Sequence, residues 1–242
     1  MSKSTIERLI EQERWGDARK AILQELAKRP ASHWLLIRLA TTFYEQRDYA
    51  TALEVAARAY SIAPLCPLVL WDLAGILDAL GAKADAIDIY HELLSRSVSS
   101  IANDECGEGE EWARSLLADC HYRLAACYED IAEWSHAKSH YENYLKQVAN
   151  GAKSIYPLKE ADEAIRRIGL RMSDPGTGIS SRFPEIPPVP SGVVYSSGDL
   201  PRPARLVKNL SVQSGFEPVP DYASGRPQYS ELSVRPRELV GT

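Results

Sequence analysis

The stretch "RDYATALEVAARAYSIAP", residues 47–64, decides the fold. Three residues after Tyr49 stands Ala52; Ala56 and Ala59 follow on the same helical face, and Pro64 closes the run. A helix brings residues three and four apart onto one side. Proline cannot continue it without losing a backbone hydrogen bond. The stretch therefore predicts a short helix with an aromatic residue at its mouth, small residues along its buried face and a defined end.

The pattern recurs. Ala18, Ala52 and Ala86 are spaced 34 residues apart, and Trp15, Tyr49 and Lys83 stand three residues before them. Pro30 and Pro64 lie twelve residues after the first two alanines. Trp134 and Ala137 repeat the pair, with Ala137 displaced from Ala86 by 51 residues, one period plus 17. An apolar helical face precedes each later pair: Leu36, Leu39, Ala40 and Phe43; Leu70, Leu73, Ala74 and Leu77; His121, Leu124, Ala125 and Tyr128. The following helices carry Ala86, Tyr90 and Leu93, then Ala137, Tyr141 and Tyr144. Antiparallel helices that cross about 8–10 Å apart need a small residue at the crossing. One hairpin cannot bury its apolar face alone, so hairpins must stack into a solenoid.

The small residue of each first helix (Ala40, Ala74, Ala125), the aromatic-x-x-Ala start of the second, the terminal proline and the 34-residue period resemble the tetratricopeptide repeat over about residues 1–150. The resemblance implies an all-α, right-handed helical-hairpin solenoid of about four repeats. Its units run about 1–32, 33–66, 67–98 and 116–150, with an insertion at about 99–115 and a capping helix at about 154–172. The first helix, about Ser4 to Glu13, is short. Unit three departs from the pattern. Lys83 replaces the aromatic and Val98 the proline, so its second helix is expected to run on.

The bulk composition agrees with a folded domain plus a tail. The 242 residues are 45% apolar and 25% charged. A net charge of −5 argues against nucleic acid and anionic membrane as bulk partners. No apolar run reaches the roughly 18 residues of a membrane span. The N-terminal "MSKSTIERLIEQER" lacks the features of a signal peptide, so a cytoplasmic location is expected. Cys66, Cys106, Cys120 and Cys127 form no CxxC pair or disulfide framework and read as three packing or turn residues and one exposed thiol.

The insertion carries an acidic run, Asp104, Glu105, Glu108, Glu110 and Glu111. It reads as a solvated loop leading into a helix N-terminus, or as a docking patch or metal-binding loop. Its spacing does not match an EF-hand. The segment "EEWARSLLADCHYRLAACYEDI" predicts one long helix ending near residue 131. In the cap, Ile155, Leu158, Ala161, Ala164, Ile165, Ile168 and Leu170 form an apolar stripe.

Residues 173–242 hold 11 of the 15 prolines, and their seven basic and seven acidic residues cancel. This Pro/Gly/Ser-rich tail is expected to be extended or disordered on its own. It serves as a solubilising segment, or it folds onto a partner or onto the domain's own groove. Its candidate contact residues are Phe183, Pro187, Pro190, Tyr195, Leu206, Phe216 and Tyr222.

No catalytic constellation stands out. There is no phosphate loop, no GxGxxG in strand-helix context and no GxSxG elbow. His136 and His140 have a zinc-compatible i, i+4 spacing but no evident third ligand, and read as two surface residues of a helix. No cofactor and no metal are expected, and an enzyme is the least favoured class.

The family resemblance implies that the first helix of each repeat lines a concave, partner-binding groove. The matching positions are Trp34, Ile37, Arg38 and Thr41 in unit two; Leu68, Trp71, Asp72, Gly75 and Asp78 in unit three; and Asp119, Tyr122, Arg123, Ala126 and Asp130 in unit four. Trp34, Trp71 and Tyr122 are the expected anchors, since Trp, Tyr and Arg dominate interface energetics. The lysine/asparagine carboxylate clamp of some family members is absent, with Ile37 and Trp71 in its lysine positions and Thr41 and Gly75 in its asparagine positions. The expected role is a protein-interaction scaffold or adaptor. The rival is a subunit whose own tail docks on a partner or in the groove, with self-association through an exposed repeat edge also open.

Overall fold

The computed structural model describes residues 3–173, and the tail candidates Phe183 to Tyr222 lie outside them. Among the described residues the fold is all-helical. The helices are α1 (Lys3–Glu11), α2 (Trp15–Leu26), α3 (His33–Tyr44), α4 (Tyr49–Ile62), α5 (Pro67–Ala79), α6 (Lys83–Leu94), α7 (Val98–Ala102), α8 (Glu110–Asp130), α9 (Trp134–Ala149) and α10 (Leu158–Ser173). The hairpins α1/α2, α3/α4, α5/α6 and α8/α9 stack in order, and α10 packs on α9. None of the described helices is long and apolar enough to cross a membrane.

Small residues sit at the crossings, as the pattern requires. Ala18, Ala40, Ala52, Ala74, Ala86, Ala125 and Ala137 are all 0% exposed. The turn inside each hairpin repeats as faithfully. Glu13, Arg47, Gly81 and Ala132 all take positive φ, at 54°, 62°, 80° and 61°. The first three are spaced by the 34-residue period. Only Gly81 adopts this left-handed conformation without a side-chain penalty, so at the other three positions the closing geometry of the hairpin overrides local preference.

Unit three departs from expectation. Its second helix does not run on: α6 stops at Leu94, and Ser97 opens the separate helix α7 by accepting a hydrogen bond from the Ser100 amide. Arg96 holds the break, donating to the Ser100 hydroxyl at 2.8 Å and to Asp104 at 3.2 Å. Lys83, in place of the aromatic, bridges repeats. Its ammonium pairs with Asp78 and lies 2.5 Å from Asp130.

The insertion folds as α7 and a loop at 103–109. A Cβ on Gly107 would come within 2.3 Å of the Ile101 carbonyl oxygen, so the loop backbone lies directly on the end of α7. The acidic residues are largely occupied. Asp104 pairs with Arg96, Glu110 with Arg114 and Glu111 with Lys153. The expected exposed thiol is not found, since all four cysteines are buried and unpaired.

Along the cap, Ala161, Ala164 and Ile168 are buried, but Ile155, Leu158 and Leu170 are exposed. The stripe is narrower than predicted: the chain does not become helical until Leu158, which leaves Ile155 off the helix, and Leu158 and Leu170 near the helix ends stay outside the packed face. Ile155 lies in the connecting segment.

Candidate functional site

The first helices α3, α5 and α8 bring Thr41, Tyr44, Trp71, Asp72 and Arg123 around a cleft of about 220 Å³, which Tyr156 closes at one end. The helical spacing explains the convergence. Trp71 and Asp72 stand on α5 next to the buried Leu70 and Leu73, so they flank the core face and emerge at its rim.

The structure divides the predicted lining into two sets. Trp34, Ile37, Leu68 and Asp119 are buried, at 7%, 0%, 9% and 8% exposure. Ile37 is a core residue wedged between hairpins. Trp34 is covered by the chain itself, with the Lys3 ammonium 5.1 Å and the Arg38 guanidinium 5.6 Å from its ring. Asp119 faces the α9–α10 connection, where it accepts a hydrogen bond from Ser154; burial raises its pKa. These four are therefore not presented to a partner. Arg38, Thr41, Trp71, Asp72, Gly75, Asp78, Tyr122, Arg123 and Ala126 are half-buried, and Asp130 is exposed.

The polar groups of the cleft form two networks. Thr41 donates to Asp72 at 3.3 Å, and burial pushes the Asp72 carboxyl up to about 6, against the pull of Arg38. The Nε of Arg38 is buried with no hydrogen-bond partner. In the second network Arg123 donates to Asp78 at 2.7 Å and to the Tyr90 hydroxyl at 3.3 Å. Lys83 shares the same carboxylate. Arg123 is thus a structural cross-link between α8 and α5, with little charge to spare. Trp71 is braced edge-on by Tyr90 at 6.0 Å between centroids.

Tyr122 is already occupied. Tyr156 stacks on it at 4.2 Å, with planes 6° apart. Its hydroxyl donates to Glu160 at 3.0 Å. Burial, helped by Glu160, pushes its pKa up to about 12. The Tyr144 hydroxyl donates to the Tyr156 carbonyl at 2.6 Å and pins the segment.

Two side-chain clusters escaped the sequence reading. The first joins His33, Cys66 and Cys106, whose ligand atoms all lie within 4.8 Å of one another. The hydrogen bond from Cys106 lowers the Cys66 thiol below its usual range, assisted by the backbone amides of Val69 and Leu68 against the effect of burial. A faint signal was present. Ser32 and Cys66 are one 34-residue period apart, so the starts of α3 and α5 had to stack.

The second cluster gathers four of the five histidines. His140 is not a free surface residue as expected; its Nδ1 lies 2.9 Å from that of His121, and its ring is 5.7 Å from His91. His136 stacks on Tyr128 beside them at 5.0 Å. Burial is the main cause that lowers His121 to about 4 and His140 to about 3, and neighbouring histidines add to it.

No protein-family profile matches the chain, and no curated protein matches it in sequence. Solved structures do match. The crystal structure of MamA protein superposes with a TM-score of 0.52 at 16% identity, covering 69% of this chain and 80% of that one. At this identity the likeness carries the fold alone, a tetratricopeptide-like helical solenoid.

Proposed function

We propose that the protein is a scaffold or adaptor that holds a segment of another protein along the face lined by α3, α5 and α8. The carrying observation is the open cleft at Trp71 and Asp72, where an aromatic wall and a carboxyl converge and the charge of nearby Arg38 acts on that carboxyl. Apolar surface with a few fixed polar groups is the usual makeup of a recognition site. The anchor set is smaller than the sequence suggested: Trp71 is the aromatic contact, with Asp72, Thr41 and Arg38 giving polarity. With a net charge of −5 and no catalytic constellation, this reading favours a protein partner over nucleic acid and binding over catalysis. Unpaired thiols suit a reducing compartment, and the reading places the protein in the cytoplasm.

Pull-downs from source-cell extract test the reading. The baits are the full chain, its Trp71→Ala/Asp72→Lys variant and a control altered at the exposed Arg166, each first checked for helical content. We expect one set of proteins on the full chain and the control that is missing from the cleft variant. If the cleft variant retains them, the partner binds elsewhere.

A second reading has its own support. The segment Ile155–Tyr156, which precedes α10, already lines this face, so the groove accommodates non-helical backbone of this chain. In that reading residues 173–242 act as an arm that continues along it or reaches a partner. Deleting residues 174–242 would then change capture while the cleft variant would not.

A further inference from the structure

We propose that His33, Cys66 and Cys106 form a zinc(II) site that ties the inserted 103–109 loop to the starts of two repeats. The three residues come from distant parts of the chain: the first turn of α3, the N-cap of α5 and the loop before α8. All three are buried, at 9%, 5% and 7% exposure. Their ligand atoms lie within 4.8 Å of one another, with His33 Nε2 3.2 Å from Cys106 Sγ. Zinc bonds of about 2.3 Å to sulfur and about 2.0–2.1 Å to nitrogen place tetrahedral ligands roughly 3.5–3.8 Å apart. The separations in the cluster, from 3.2 Å to no more than 4.8 Å, bracket that spacing.

The donor set selects the metal class. Two sulfurs and one imidazole nitrogen suit zinc and are wrong for magnesium or calcium, which take oxygen. Three protein ligands leave the fourth tetrahedral position for water. The N-termini of α3 and α5 both meet the cluster and favour the negative charge of bound thiolates. Binding releases whatever thiol protons remain.

Packing alone gives no reason for these residue types. At the equivalent start of α3, Ser32 accepts a hydrogen bond from the Leu35 amide. Cys66 makes no such cap at the start of α5; its sulfur is engaged instead with Cys106 and the nearby Val69 and Leu68 amides. Cys106 is delivered by the segment that breaks the 34-residue period, and the tight fit of Gly107 against α7 fixes that loop in place.

The test uses the full chain, purified without a histidine tag, reduced, stripped with chelator and titrated with cobalt(II) chloride and then zinc chloride. We expect one cobalt per chain, with thiolate-to-cobalt charge-transfer absorption and the strong d–d bands of a tetrahedral site. Zinc should displace it and raise the thermal midpoint. Cys66→Ser and Cys106→Ser should each weaken binding by about 10–100-fold or more and reduce the charge-transfer intensity. His33→Gln should weaken binding while keeping both thiolate contributions. His140→Gln, in the separate histidine cluster, should change none of these readings.

Cobalt binding without thiolate absorption would overturn the proposal in favour of the histidine cluster. Unaltered binding by the Cys66→Ser/Cys106→Ser double variant would overturn it as well. So would failure of the reduced full chain to bind, with Cys66 and Cys106 recovered as a disulfide from unreduced protein. The full-chain spectrum decides these points even if a variant does not fold.

Discussion

The rings of Tyr122 and Tyr156 stack at 4.2 Å with their planes 6° apart. Tyr122 belongs to the first helix of the last hairpin, and Tyr156 to the connection into the cap. The stack therefore ties the end of the solenoid back onto its lined face, where Tyr144 fixes it through the Tyr156 carbonyl. Tyr156→Ala should cost about 2 kcal/mol, from lost aromatic area and stacking. Urea denaturation of the full chain measures this. A loss under about 0.5 kcal/mol would mean the connection is not docked in solution.

Asp78 joins two repeats through Arg123 and Lys83. Asp78→Asn removes the anion and leaves two cations facing each other in a half-buried site. The expected loss is about 1.5–3 kcal/mol, the range for a hydrogen bond to a charged group. A double-mutant cycle with Arg123→Met should show strong coupling. Additive effects would reduce the contact to an incidental one.

Ala52 is 0% exposed at the crossing of α3 and α4, whereas Ala50 on the same helix faces solvent. Ala52→Leu forces methyl groups between closely packed helices and should cost about 1–3 kcal/mol. Ala50→Leu should stay within about 0.5 kcal/mol. Thermal melts of the pair test the role of the small residue in the period directly.

Acid should weaken the fold through its histidine cluster. His140 and His121 are lowered to about 3 and about 4, first by burial, whereas an unfolded chain protonates them near 6.5. Their contribution is fully present above that pH. It is lost as pH falls from about 6.5 towards 4 and 3, by up to about 1.4 kcal/mol per pH unit for each group. Asp72 works in the opposite direction, because its raised carboxyl takes up a proton in the folded state from about pH 6 downward. Comparison of urea midpoints at pH 7.5, 6 and 5 between the full chain and His140→Gln isolates the histidine effect. The variant should show the shallower decline. Parallel declines would place the acid sensitivity elsewhere.

What the sequence determined by itself was the repeating local unit. Helix face, crossing residue and helix end are set by neighbours three, four and twelve positions away. The alternation of Ala40, Ala52, Ala74 and Ala86 with large apolar residues therefore left little choice but stacked hairpins. The point where the period breaks was legible for the same reason, although the fate of the broken helix was not. Lys83 and Val98 showed that unit three was unusual, but only the Arg96 hydrogen bonds and the Ser97 cap stop α6 and start α7.

The tertiary structure decided which lining residues are available. Trp34 and Trp71 both stand on first helices of consecutive hairpins, one helical turn out of register, and Lys3 and Arg38 cover one while the other walls an open cleft. It also decided that Tyr156 fills the groove end and that His33, Cys66 and Cys106 meet. These contacts join residues about 30 to 70 positions apart. Their distances depend on how successive hairpins rotate against one another and on where an insertion returns, and no local periodicity encodes either.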